Sequence, residues 1–317
     1  MRKVWFNGDI IPEREAKLSI YDSALMFGDI VFEMTRSFNK IQFKLGEHIE
    51  RLFASIYYMH IPFKYSEYDI HNAVNEVVKE NDLYFNKNDE HRIMINVSRG
   101  ILPIYREVEE LGTNVIIADF PLRWTVAGMG RLFDTGINMV IPSQRSIPAR
   151  YLEPKIKSRS RLHLQLANIE VSKYAGNNNW ALLLDDDGFI TEGTGDNFFI
   201  VKNGVIITPE GRNILRGISR AYIFELAKQL RIKCIEKNIE PFDVYEADEA
   251  FITATPFCIL PAATLNKRKI GNNLFRIVNN LIYQWSENVG VDIRNQIKDW
   301  DKENKIEDIT SPYKFKG

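Results

Sequence analysis

Apolar residues recur along this chain in two rhythms that take turns. Ile49, Leu52, Phe53 and Ile56 fall at i, i+3, i+4 and i+7, the spacing of one buried helix face. Ile70, Ala73, Val74, Val77 and Val78 repeat it. The runs Arg92 to Ser98 and Asn114 to Phe120 read as strands, and Asn7-Gly8 predicts a tight hairpin near the start. A second alternation follows. Strands are expected at Ile137 to Ile141, Trp180 to Leu184, Phe189 to Thr191, Phe198 to Val201, Val205 to Thr208 and Ala250 to Ala254. Asn203-Gly204 marks another hairpin. Leu162, Leu166 and Ile169 share a helix face, as do Ile223, Leu226, Ala227 and Leu230. A long last helix carries Leu274, Ile277, Val278, Leu281, Ile282 and Trp285.

Between the two alternations, Pro121 to Phe133 keeps neither rhythm, because Pro121, Gly128 and Gly130 interrupt it. The expected fold class is α+β, built as two α/β domains. A smaller N-terminal domain spans 1–121, a linker 122–133, a larger C-terminal domain 134–290, and a charged tail 291–317. Being poor in aliphatic residues, the tail is expected to lie on the surface.

The length of 317 residues agrees with about two domains and suffices to bury a core without staples. Lys plus Arg number 41 against 42 Asp plus Glu, so no global field draws the chain to nucleic acid or an anionic membrane. Two cysteines, Cys234 and Cys258, exclude a disulfide framework and a thiolate zinc site. The five histidines have no metal-ligand spacing, so no metal is expected. No apolar run approaches about 18 residues, and the first residues lack the apolar stretch of a secretory signal. The expectation is a soluble, cytoplasmic protein.

Four segments hold candidate chemistry. Pro154 to Arg161 is rich in Lys and Arg. It reads as a solvated basic stripe or nucleic-acid contact. It also reads as a lysine held at a core edge, where a lowered pKa makes the amine a nucleophile. Glu192 sits between apolar Phe189-Ile190 and Phe198-Phe199-Ile200. It is either the exposed end of a strand or a carboxylate near a buried surface, where it needs a cationic partner. Leu215 to Arg220 precedes a helix. Gly217 there permits close approach, and the amides of Ile218 and Ser219 can cradle a phosphate; an ordinary helix start is the alternative. Arg51, on a helix, has the fork for the same phosphate, and Thr253-Ala254-Thr255 closes a strand with hydroxyls. A lysine, a carboxylate, an anion cradle and an arginine are what an aldehyde–pyridine–phosphate cofactor requires.

At these residues the sequence resembles the fold-type IV pyridoxal phosphate enzymes, the class IV family of branched-chain aminotransferases, D-amino acid and (R)-amine transaminases and aminodeoxychorismate lyases. The resemblance runs over about residues 4 to 285. It is carried in order by Trp5-Phe6-Asn7-Gly8, Ser19 to Ala24, Phe27-Gly28-Asp29, His48 to Leu52, Lys157-Ser158, Thr191-Glu192-Gly193 with Asn197-Phe198-Phe199, and Leu215 to Arg220. It implies a pyridoxal 5'-phosphate cofactor in an interdomain cleft. Lys157 would be the Schiff-base lysine, chosen over Lys155 because Ile156-Lys157-Ser158 matches the family's lysine context. Glu192 would hold the pyridine nitrogen protonated. Arg51, the Ile218 and Ser219 amides and Thr255 would hold the phosphate. It further implies a homodimer acting on small-molecule amino acid and 2-oxo acid substrates by a ping-pong mechanism.

For the substrate end, Phe32-Glu33, Arg36 and Arg92 match the branched-chain enzymes and Phe27 stands in place of their usual Tyr, while Met34 stands where those carry Gly and Leu162 where they carry Tyr. Arg99 lies in Asn96 to Pro103, which is similar to the D-amino acid transaminase loop. Pro121-Leu122-Arg123-Trp124 is similar to the (R)-amine transaminases. A branched-chain-like aminotransferase is the leading expectation. Aminodeoxychorismate lyase and D-amino acid or (R)-amine transaminase are the alternatives, and a nucleic-acid binder using 155–161 is the reading from another class.

Overall fold

The computed structural model describes residues 1–108 and 112–303. The chain divides into two units: Met1–Thr125 with Ile156–Arg161, and Val126–Lys155 with Leu162 onward.

The first unit contains, in order, β1 (Lys3–Phe6), β2 (Asp9–Pro12), α1 (Ser23–Phe27), β3 (Ile30–Met34), β4 (Ser37–Phe38), β5 (Ile41–Gln42), α2 (Leu45–Tyr58), α3 (Glu67–Asn81), β6 (His91–Ser98), β7 (Asn114–Pro121) and α4 (Arg123–Val126), whose last residue falls at the boundary. Among the described residues, an antiparallel sheet of order β2-β1-β7-β6-β3 forms the unit. Helices α2 and α3 contain the two faces that the spacing predicts. Ser66 and Asp69 form a capping box at α3, satisfying amides that a helix start leaves open. Ile49, Leu52 and Ile56 of α2 and Ile70, Val74 and Val77 of α3 pack on Val31, Ile93, Ile95, Val97, Val115 and Ile117. Strand side chains alternate between faces, so Phe32, Met34, Arg92, Met94 and Asn96 belong to the opposite face of this sheet.

The second unit contains α5 (Leu132–Thr135), β8 (Ile137–Val140), α6 (Leu162–Ser172), β9 (Asn179–Leu184), β10 (Ile190–Gly193), β11 (Asn197–Lys202), β12 (Val205–Thr208), α7 (Ile218–Gln229), β13 (Cys234–Glu236), α8 (Pro241–Tyr245), β14 (Glu249–Ala254), β15 (Cys258–Leu265), β16 (Arg268–Lys269), α9 (Arg276–Val289) and α10 (Ile293–Glu303). Its sheet runs β10-β9-β8-β15-β14-β11-β12-β13 and returns on itself, because β10 also pairs with β11. That closing contact is the pair Glu192 and Asn197.

Two stretches differ from the sequence reading. The boundary at Thr125 and Val126 falls inside the expected linker, and the linker is structured: Leu122, Val126, Leu132 and Phe133 are buried. Residues 291–303 of the tail expected to lie on the surface are largely α10. Its Ile293, Ile297 and Trp300 recur at i, i+4 and i+7 and are buried, a narrow stripe that average composition hides. The amides of Gly128 and Gly130 donate to the Asp301 carboxylate at 2.6 and 2.8 Å, which ties α10 to the former linker. The remainder of the tail, 304–317, lies outside the described residues. Among those described, no helix is long and apolar enough to cross a membrane.

Candidate active site

In the first unit the site is built around the edge of its sheet. β3 is an end strand, so one side of its backbone lacks a strand partner. Residues 156–161 supply one. Phe32 N donates to the Lys157 carbonyl at 2.8 Å, and Arg159 N donates to the Ile30 carbonyl at 3.0 Å. Lys157 N donates to Ser55 Oγ of α2 at 3.4 Å, and Ile156 packs on the unit's core. This anchoring explains an aliphatic residue just before the lysine. The Lys157 Nζ comes to rest 4.8 Å from the centre of the Phe32 ring.

Behind the lysine lies a group of ionisable side chains in which Arg51, expected at the phosphate, meets Glu33, which the sequence reading placed only in the substrate-end match. Glu33 is fully buried on the helix-covered face of β3. Arg51 meets it as a fork, Nε to Oε1 at 2.6 Å and Nη2 to Oε2 at 2.9 Å, and His48 Nδ1 lies 2.8 Å from Oε2. Burial pushes the Glu33 carboxyl up, but the charges and hydrogen bonds of Arg51 and His48 prevail and hold it well below the usual carboxylate range. Burial, joined by the nearby Arg51 and Lys157 cations, holds the His48 imidazole below its ordinary value. Two nitrogens of the Arg51 guanidinium therefore face Glu33. An acid inside an apolar strand, with His48 and Arg51 three apart on one helix face, was the available signal.

The other face of the sheet collects arginines around Phe32. Arg36 is fully buried, with its guanidinium 3.8 Å from the Phe38 ring centre. Arg159 stacks 3.6 Å from the centre of Phe32, and its Nε and Nη2 both donate to Asn96 Oδ1, at 3.2 and 3.1 Å. Arg92 is 7% exposed, and its Nε and Nη1 have no hydrogen-bond partner among the described residues. Burial, then Arg36 and Arg159, pull Arg92 down to about 9. The segment 155–161 is thus not a solvated stripe: Lys155 pairs with Glu153, while Lys157 and Arg159 lie against Phe32.

Two substrate candidates sit elsewhere in this unit. Phe27 ends α1 and is 63% exposed. Arg99 is committed to Asp29 and to the carbonyls of Met59 and His60, where it ties the end of β6 to the end of α2.

In the second unit, Glu192 stands at the pairing that closes the sheet. Its carboxylate accepts from Leu215 N at 3.0 and 3.1 Å and from Asn197 Nδ2 at 2.9 Å. Asn197 also donates to the Leu215 carbonyl at 2.9 Å, so one amide fixes both the acid and the approach to α7. That helix begins after Gly217 with no side-chain cap, leaving the amides of Ile218 and Ser219 open to an anion. A Cβ at Gly217 would overlap the Asn197 Oδ1, which explains the glycine. Thr255 is half-buried in the turn between β14 and β15.

These donors fit pyridoxal phosphate group by group. An uncapped helix start suits the phosphate, a positioned carboxylate suits the ring nitrogen, and a lysine amine anchored by its backbone suits the aldehyde.

Comparison with known proteins agrees. The family model described as amino-transferase class IV matches residues 30–265. A Methanocaldococcus jannaschii protein assigned provisionally as a branched-chain-amino-acid aminotransferase is 36% identical over 271 residues, covering 85% of this chain and 90% of its own. The branched-chain-amino-acid aminotransferase of Pseudomonas aeruginosa is 31% identical over 272 residues, covering 84% and 86%. Among solved structures, the branched-chain amino acid aminotransferase of Thermobaculum terrenum in its pyridoxal phosphate form superimposes with a TM-score of 0.79. It is 26% identical, and the match covers 94% of this chain and 97% of that one. By lysine context, closing carboxylate, helix start and these likenesses, the chain belongs to the class IV aminotransferases, enzymes that work with pyridoxal phosphate.

Proposed function

We propose that this protein moves an amino group between an amino acid and a 2-oxo acid in two alternating half-reactions, with a branched-chain side chain on one of the two substrates. The observation that carries the reading is the Lys157 amine, pinned by backbone to the β3 edge and set against Phe32. The names of the relatives support the branched-chain part. Pyridoxal phosphate, when bound, supplies a carbon that takes up amines and a ring that spreads negative charge. Lys157 holds it and then moves the proton at the substrate α-carbon. Glu192, oriented by Asn197 and Leu215, keeps a ring nitrogen protonated. Ile218, Ser219, Thr255 and Arg51 bind the phosphate.

We also read the molecule as a homodimer in a reducing, cytoplasmic compartment. Ile20, Leu25 and Phe27 stand 67%, 69% and 63% exposed at and beside α1, an apolar patch that a second copy would cover, and Cys234 and Cys258 form no disulfide with each other.

The test is amino transfer by the cofactor-loaded protein. Lys157→Ala should abolish turnover, a loss beyond the roughly 10⁴-fold ceiling of an ordinary general base. A near-normal rate in that variant overturns the assignment.

A further inference from the structure

Cys258 holds a backbone conformation that few side chains adopt. Its φ is 65°, and it is 1% exposed. Among the described residues, one other buried non-glycine residue has a left-handed φ, Phe275 at the start of α9. Ile259 N donates to the Phe257 carbonyl at 2.8 Å, so residues 257–259 form a γ-turn centred on Cys258. With a positive φ at its centre this is the rare, strained form, which glycine takes freely and cysteine does not. Such strain persists where the surroundings over-determine it, and it gathers at ligand clamps.

Three features hold the turn. Thr253 Oγ1, on a buried residue, donates to the Cys258 carbonyl at 2.6 Å. The Phe257 ring stands edge-on to Trp180 of β9, with ring centres 5.7 Å apart. Pro256 fixes its own φ. Ala254 pairs with Cys258 across the β14–β15 hairpin, so the tip they enclose is Thr255-Pro256-Phe257. Its first residue carries the hydroxyl that the cofactor reading gives to the phosphate. In the other direction Thr253 pairs with Asn197 of β11, whose amide meets the Glu192 carboxylate. A strand thus engages Thr253 on each side, and valine would fill a similar volume there. What the hydroxyl adds is the bond to the bent carbonyl.

We propose that Thr253 is a positioning residue for the cofactor phosphate: its hydroxyl holds the Cys258 turn in the strained form and so sets Thr255 against that phosphate. The inference rests on the pyridoxal phosphate reading and deepens it at the phosphate end. Thr253 itself touches neither cofactor nor substrate; it acts through the hairpin tip.

The full chain, freed of cofactor, is titrated with pyridoxal 5'-phosphate and with pyridoxal, which lacks the phosphate. Thr253→Val should raise Kd for the phosphate ester about tenfold or more and leave Kd for pyridoxal within about twofold, because the lost hydrogen bond is felt at Thr255. Thr253→Ser, which keeps the hydroxyl, should bind the ester within about threefold of the unmodified protein. A merely structural role would lower Tm and weaken both ligands alike. That result, or an unchanged Kd for the ester, overturns the proposal.

A second substitution tests the strain itself. Added to Thr253→Val, Cys258→Gly should improve affinity for the ester about fivefold or more, since glycine adopts the positive φ without a hydroxyl to hold it. No recovery, with unfolding curves showing the double variant folded at the titration temperature, overturns the assignment. An unmodified protein that binds neither ligand would sink the pyridoxal phosphate reading instead. Inorganic phosphate would then decide this one: stabilisation of the unmodified protein that Thr253→Val loses supports it, and equal or absent stabilisation in both overturns it.

Discussion

Glu33 is the residue on which the ionisable group of the first unit depends. It lies in a strand whose neighbours on the same face are aliphatic, and it survives there because Arg51 and His48 surround it. Removing its charge would leave a largely buried guanidinium uncompensated. Glu33→Gln should therefore cost about 3–5 kcal/mol of stability, read from denaturant unfolding. The pH dependence has a definite sign. The folded carboxyl titrates below its ordinary value near 4.5, so its contribution is complete above that value and is lost as pH falls towards the folded one. Below about pH 4.5 the parent should lose stability more steeply than the Gln variant. Parallel curves would contradict the role given to Glu33. His48 and Arg51 stand in a motif legible in the sequence. Their convergence on Glu33 was not legible, because it depends on how α2 crosses β3.

Elements decide how the carboxylate of the second unit is aimed. Glu192 is the last link of a sheet that closes on itself, and Asn197, its partner across the closing pair, also holds the carbonyl at the approach to α7. The Gly217 backbone is extended and suits any residue, with φ −64° and ψ 137°. What excludes a side chain there is the Asn197 amide. Gly217→Ala should push that amide aside, misalign Glu192 and the open amides together, and weaken pyridoxal phosphate about tenfold or more, as an overpacking cost of 1–3 kcal/mol implies. Absorbance titration of the cofactor measures it, and an unchanged Kd would refute the coupling. The Leu215 to Arg220 motif and the glycine were readable in the chain. The reason for the glycine was not, since Asn197 is twenty positions away and meets it only in the closed sheet.

At the scale of the whole molecule, the two units contribute different chemistry. The first holds the amine, the arginine fork and the arginine face; the second holds the carboxylate and the anion cradle. The exposed apolar residues around α1 belong to the first. If a second copy covers them, light scattering should give twice the chain mass of 36.8 kDa, and Leu25→Glu should move the protein towards that single mass. An unchanged mass in the variant would place the interface elsewhere. Helices α2 and α3 and many of the strands, β6, β7, β9, β11 and β14 among them, follow from local periodicity, because the burial of one face repeats every 3.6 or 2 residues whatever the partner is, whereas β3 and β15 were not read from it. Lys157 and Glu192 stood out for a similar reason: a charged residue between apolar ones is a local anomaly.

Nothing local, however, says that the chain leaves the second unit for six residues to complete the β3 edge, that Arg159 turns onto Phe32, or that α10 binds two glycine amides through Asp301. Each of these joins residues far apart in the chain. The free energy of such contacts depends on distance and burial in space, and chain order encodes those only through the completed fold.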